Sequence, residues 1–211
     1  MLKHIKKLIL VIRRKGILET FIKGIKLLLE KVLSLVRITI LRLRGYNIDY
    51  SVILRGHTEF FQSIKFAINI SGGVTLGGNT RITCGGTGKI YIMENVHIDD
   101  YSFIMAQDRI TVGENTTIAP FCFITDFNHE YKNKNISVMK QGYSTSQVKI
   151  GNNVWIGTHC VVLPGVKIGS GSVIGAGSIV THNIPSDSIA VGNPAKVIKK
   201  IICCYHYNHI I

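Results

Sequence analysis

The chain has 211 residues, a formal net charge of +13, 46% hydrophobic residues and 21 Gly against 4 Pro. This length supports one sizeable core with an appendage, and the composition excludes a disordered chain. Residues 1–44 carry twelve Lys/Arg against only Glu19 and Glu30, so most of the excess charge belongs to the N-terminal segment.

The chain divides into residues 1–46, 47–200 and 201–211. In the first segment apolar residues recur at helical spacing, at Leu2, Ile5, Leu8, Ile9 and Ile12 and then from Leu18 to Ile40, with Lys and Arg on the other face. Gly16 offers a break between two helices. The apolar run Leu8–Ile12 is too short for a signal-peptide core, and no stretch approaches the roughly 20 apolar residues that span a bilayer. The segment reads as a basic amphipathic helix that packs on the chain or a neighbouring subunit, or lies on anionic lipid at the inner face of the membrane. No base-stacking aromatic pattern accompanies the charge, so nucleic acid is not expected. Cys84, Cys122 and Cys160 are isolated among apolar residues, which fits buried thiols in a reducing, cytoplasmic setting.

From about residue 50 the pattern changes to a period of six. The hexads I150-G-N-N-V-W, I156-G-T-H-C-V, V162-L-P-G-V-K, I168-G-S-G-S-V and I174-G-A-G-S-I run without interruption, and Val180 begins another. Upstream the beat returns in three phases: Ile64, Ile70, Leu76 and Ile82; Ile92, Ile98 and Ile104; Val112, Ile118 and Ile124. So many Gly and β-branched residues do not suit an α-helix. A stacked solenoid suits them, because each short strand sends one aliphatic side chain inward and Gly-containing corners turn the chain.

These hexads resemble the left-handed parallel β-helix of the hexapeptide-repeat acyltransferases over roughly residues 50–200. The resemblance implies an all-β main domain of triangular coils behind an N-terminal helical segment. It also implies a homotrimer whose active sites lie between neighbouring β-helices.

After Ile124 the beat stops for H-E-Y-K-N-K-N-I-S-V-M-K-Q-G-Y-S-T-S-Q and resumes at Val148 and Ile150. An insertion of this length must leave the stack as a loop at about 130–147, and such loops commonly carry function. His129 stands at its root. The match V-G-E-N-T-T-I-A-P-F-C-F-I-T-D-F-N-H, followed after the loop by I-G-N-N-V-W-I-G, is similar to galactoside, maltose and antibiotic acetyltransferases. That resemblance implies His129 as general base, with acetyl-CoA as co-substrate and no metal. A sugar hydroxyl is a poor nucleophile until a neutral imidazole accepts its proton. Asp126 or Glu130 is a candidate to orient the ring, and Asp126 is also a candidate acceptor contact. Asp99 falls where similar galactoside enzymes carry an acceptor-binding Asn, a departure that withholds galactoside specificity.

For acetyl-CoA the resemblance points to Trp155, Gly157 and Thr158, to Ala176, to Thr181 and His182, and to Lys196 and Lys199. His97 faces either the acceptor groove or an exposed corner, and His159 reads as a corner residue. Cys203, Cys204, His206 and His209 match no recognised zinc spacing. The sequence thus predicts a CoA-dependent O-acetyltransferase acting on a sugar hydroxyl in bacterial surface-polysaccharide modification. Alternatives are acetylation of a small acceptor (a free sugar, an amino sugar or an antibiotic) or a non-catalytic assembly β-helix. A γ-type carbonic anhydrase is disfavoured, because the close His-x4-His pair expected there is missing.

Overall fold

A computed structural model of the protein describes residues 16–202. Residues 1–15 and 203–211 lie outside the described residues, and with them the first amphipathic stretch and the cluster Cys203, Cys204, His206 and His209.

One helix, Ile17–Leu43, precedes a stack of short parallel strands arranged as three sheets. The first face stacks Asn47–Ile48, Ile68–Ile70, Lys89–Ile92, Arg109–Val112, Val148–Ile150 and Lys167–Ile168. The second stacks Ile53–Leu54, Thr75–Leu76, His97–Ile98, Thr117–Ile118, Trp155–Ile156 and Val173–Ile174, and ends in Ser188–Val191 and Lys196–Lys200. The third runs from Thr58–Gln62 through Thr80–Cys84, Phe103–Ala106, Phe123–Thr125 and Val161–Val162 to Ile179–Val180.

Each turn of the solenoid visits the three faces in order, so residues of one hexad phase stack on the same phase one coil above. Leu76, Ile98, Ile118, Ile156 and Ile174 form such an inward column, all in register and fully buried. Burying each such side chain is worth about 1.5–3 kcal/mol. The corner between the first and second faces is turned by Gly73, Asn95, Asn115, Asn153, Gly171 and Asp187, all with positive φ. Gly and Asn reach this left-handed conformation at least cost, and the corner amide of Asn115 donates to Glu94 O one coil below, at 3.0 Å.

From the first face to the second, and from the second to the third, inward residues always follow one another by six: Ile92, Ile98, Ile104 in one coil and Ile150, Ile156, Val162 in another. Every departure from six falls on the third edge, where the chain passes from the third face back to the first. There Phe60 leads to Ile70, Ile82 to Ile92, Ile104 to Val112 and Ile124 to Ile150, whereas Val162 leads to Ile168 in a regular step. One expectation is corrected here. Ile64 is exposed, and Phe60 pairs with Ile82 and packs on the core in its place, because the extra residues of this edge shift the phase.

The helix closes the lower end. Ile38 is fully buried in the same core cluster, and Leu41 packs against it. Ser34 Oγ donates to Val52 O (3.1 Å) and accepts the Leu54 amide (2.9 Å), fixing the helix to the first coil's second face. Arg37 donates to Gly56 O and Arg42 to Ile48 O. Among the described residues no helix is long and apolar enough to cross a membrane.

Candidate active site

The interruption after Ile124 is itself structured. Phe127–His129 and Tyr143–Thr145 form an antiparallel pair that leaves the stack at the third edge, with His129 opposite Tyr143. The rings of His129 and Tyr143 lie 4.7 Å apart, and Phe127 meets Tyr143 edge-on at 5.0 Å. His129 is exposed at the first strand's end, so the hairpin holds the imidazole by backbone pairing while leaving it open. The loop beyond is drawn together by Gln141. Its Oε1 accepts the Asn133 amide (3.0 Å), and its Nε2 donates to Asn133 O (2.9 Å) and Ile136 O (2.8 Å).

Asp126, at the hairpin's root, is fully buried. Its Oδ1 accepts the Gln107 amide (2.7 Å) and its Oδ2 the Asp108 amide (2.9 Å). Burial raises its carboxyl above the ordinary aspartate range, and the amides of Gln107, Asp108 and Arg109 partly offset that. Asp126, expected as an acceptor contact, is buried here, with both oxygens accepting backbone amides of the coil below. Asp126 anchors the hairpin. Glu130 is half-buried, and its amide donates to Gly142 O across the hairpin.

The other expected residues gather on the second face and the corner that follows it. Along the outward side of that face, Thr75, His97, Thr117, Trp155 and Val173 stack in register. His97 Nε2 lies 2.7 Å from Asp99 Oδ1, so a strand residue and the residue just past the strand form a His–Asp pair. Trp155 is 57% exposed two coils higher. Gly157 sits at the following corner, where a Cβ would meet the Ala176 backbone nitrogen at 2.6 Å. Gly157 is buried, and its missing Cβ lets the Ala176 backbone of the next coil pack directly against it beside Trp155. Lys196 and Lys199 lie on the last strand of this sheet, opposite Val191 and Ile189. Thr181 and His182 fall elsewhere, directly after the third face's last strand, with Thr181 Oγ1 2.7 Å from His182 Nδ1.

A feature the hexad pattern did not disclose is the aromatic corner. Tyr101, Phe121 and His159, each with φ near 60°, stack with ring separations of 5.1 and 4.9 Å. The corner role expected of His159 is the one it occupies. Thr158 Oγ1 donates to Pro120 O (2.7 Å), so it accepts from His159 Nδ1–H at 2.8 Å and leaves Nε2 as the ring's acceptor. The visible signal was spacing: 101, 121 and 159 repeat the steps of the inward residues 98, 118 and 156.

Cys84, Cys122 and Cys160 are free and buried. Burial pushes the Cys84 thiol up to about 12, which makes it a packing group rather than a nucleophile. Among the described residues no group of three His, Cys, Asp or Glu is placed to hold a metal ion.

Comparison with known proteins fits this arrangement. Residues 147–182 match the bacterial transferase hexapeptide (six repeats) model. The chain is 40% identical over 154 residues to the putative lipopolysaccharide biosynthesis O-acetyl transferase WbbJ of Escherichia coli K12, covering 70% of this chain and 74% of that one. Other curated acetyltransferases are 44–45% identical over 114–115 residues, and the chain spans about half their length. A solved galactoside acetyltransferase in complex with coenzyme A is 31% identical with a TM-score of 0.50, covering 72% of this chain and 64% of that one. The N-acyltransferase AntD of Bacillus cereus, in complex with dTDP-4-amino-4,6-dideoxyglucose and coenzyme A, shares the fold with a TM-score of 0.67 at 21% identity, over 77% of this chain and 88% of that one.

The stacked parallel coils are consistent with a left-handed β-helix, and the likeness to the O-acetyl transferase WbbJ sets the class as acyltransferase. The chain belongs to the hexapeptide-repeat family, alongside the O-acetyltransferases.

Proposed function

We propose that the protein transfers the acetyl group of acetyl-CoA to a sugar hydroxyl of a bacterial surface polysaccharide, with His129 as general base. The observation that carries this reading is the split of the candidate residues between two edges of one prism. His129 projects from the third edge at the level of the fourth coil. His97 and Asp99 belong to the third coil and Trp155 to the fifth, on or beside the second face. Two copies standing side by side would set His129 of one between the His97–Asp99 pair and Trp155 of the other. The reading therefore includes a homotrimer whose sites are shared between neighbours.

In this site the acceptor hydroxyl gives its proton to the neutral imidazole as its oxygen attacks the thioester carbonyl. The tetrahedral oxyanion takes a hydrogen bond from a backbone N–H. Collapse breaks the carbon–sulfur bond, and the departing CoA thiolate takes the proton from the imidazolium. The pantetheine arm lies along the corner of Gly157 and Ala176, beside Trp155 and Thr158. Lys196 and Lys199 balance the CoA phosphates, with Thr181 and His182 toward the same end. Asp99 contacts the acceptor, and its bond to His97 fixes which imidazole nitrogen His97 presents.

The test supplies acetyl-CoA with a panel of glycans and follows free thiol release. Activity should appear with a polysaccharide or its repeat unit, and His129→Ala should lower it about 10²–10⁴-fold with an unchanged melting temperature. Full activity in His129→Ala, or in a folded monomer, overturns the proposal.

A further inference from the structure

We propose that the outward face of the helix Ile17–Leu43 is a docking surface for an anionic lipid bilayer. The helix has two sides. Ser34, Ile38 and Leu41 are seated on the first coil. About half a turn away around the axis run Ile22, Ile25, Leu29, Val32, Val36 and Leu43, each at least 44% exposed. Phe21, Leu28 and Leu33, also exposed, widen this apolar arc to about 140° along most of the helix. Nothing among the described residues covers it, and the seating of Ser34, Ile38 and Leu41 on the β-helix makes it face away from the body.

Two observations select lipid over a second copy of the chain. The spacing of Ile22, Ile25, Leu29, Val32 and Val36 alternates three and four, as in a helical coil, but such coils keep the flanking positions polar. Here the flanks are Phe21, Leu28, Leu33 and Ile40, which makes the arc wider than a two- or three-stranded seam. The charge is the second observation. The helix and Arg44 carry Lys23, Lys26, Lys31, Arg37, Arg42 and Arg44 against Glu19 and Glu30, and the sequence upstream adds Lys3, Lys6, Lys7, Arg13, Arg14 and Lys15 with no acidic residue. Identical helices packed side by side would concentrate this excess, whereas anionic headgroups neutralise it. An acceptor attached to a membrane lipid would then be met by an enzyme held on the same surface.

The experiment is flotation of the full-length protein with vesicles of phosphatidylcholine alone and of phosphatidylcholine mixed with phosphatidylglycerol. The protein should float with the mixed vesicles and be partly released by high salt. Phe21→Gln with Leu28→Gln lies in the half of the helix beyond the seat and should reduce binding at least tenfold. Lys23→Gln with Lys26→Gln should reduce it about fivefold per cation removed. Both variants should keep the oligomeric state and the melting temperature, and flotation requires no acetyl transfer, so this outcome is independent of the catalytic reading. Equal binding to both vesicle types, or no binding to either, overturns the proposal. So does a Phe21→Gln/Leu28→Gln variant that dissociates the oligomer while leaving flotation unchanged, because a second copy is then the occupant.

Discussion

Two edges of the same prism obey different rules. The edge between the first and second faces keeps a step of six through every coil and, above the first coil, turns on Gly, Asn or Asp with positive φ. The edge between the third and first faces absorbs extra residues in the lower coils and, above Ile124, a whole hairpin and loop. The first edge has no freedom, because one added residue would send every later aliphatic side chain from the core to the surface. The other edge tolerates added length and holds His129. Confining irregularity to one edge lets the fold carry a loop without losing register.

The sharpest way to break this comparison is a pair of insertions. One Gly inserted between Glu114 and Asn115 should prevent folding, seen as loss of the cooperative melting transition. One Gly inserted between Asn133 and Lys134 should change stability by no more than about 0.6 kcal/mol, since lengthening a loop costs little. Similar effects at both places would show that the edges do not differ.

A smaller effect is expected at the hairpin's anchor. Burial raises the Asp126 carboxyl, so the folded state holds its proton to higher pH than the unfolded chain does. Stability from this group is therefore greatest at a pH below the ordinary aspartate value. It falls as pH rises through the window between that value and the raised one. Asp126→Asn should remove this part of the pH dependence while keeping an oxygen for one of the two amides. Thermal melts of both proteins across acidic pH should diverge only in that window.

The smallest change belongs to Gln141. Gln141→Ala removes three hydrogen bonds that draw the loop together, and should leave the melting temperature within about a degree, because the loop is outside the core. Amide exchange should accelerate at Asn133, whose N–H loses its acceptor, and KM for the acceptor should rise more than kcat falls. Faster exchange in the coils themselves would contradict the independence of the two edges.

This asymmetry also explains what the sequence made legible. Ile150 to Val180 read cleanly because there the variable edge takes its regular step of six. Upstream the phase jumps were visible, but Ile64 was misplaced by extending the period downward across that edge, where Phe60 supplies the inward side chain. The loop's position and His129 at its root were evident from the interruption alone. The antiparallel pair Phe127–His129 with Tyr143–Thr145 was not, because it follows neither the hexad nor a strong alternation. The burial of Asp126 was not legible, because sequence does not reveal that the amides of Gln107 and Asp108 are turned toward it from the coil below. The division of the site between edges depends on counting faces, which requires every corner length to be known.

The last strand, Lys196–Lys200, runs antiparallel to Ser188–Val191 and reverses the direction in which the sheet has grown. A parallel solenoid otherwise ends in an open row of amides and carbonyls, on which another copy could build in the same sense. The reversed strand occupies that row and presents three lysines on its own outer edge, with the seated helix at the opposite end. The second face is thus closed at the end away from the helix against the addition of another parallel strand.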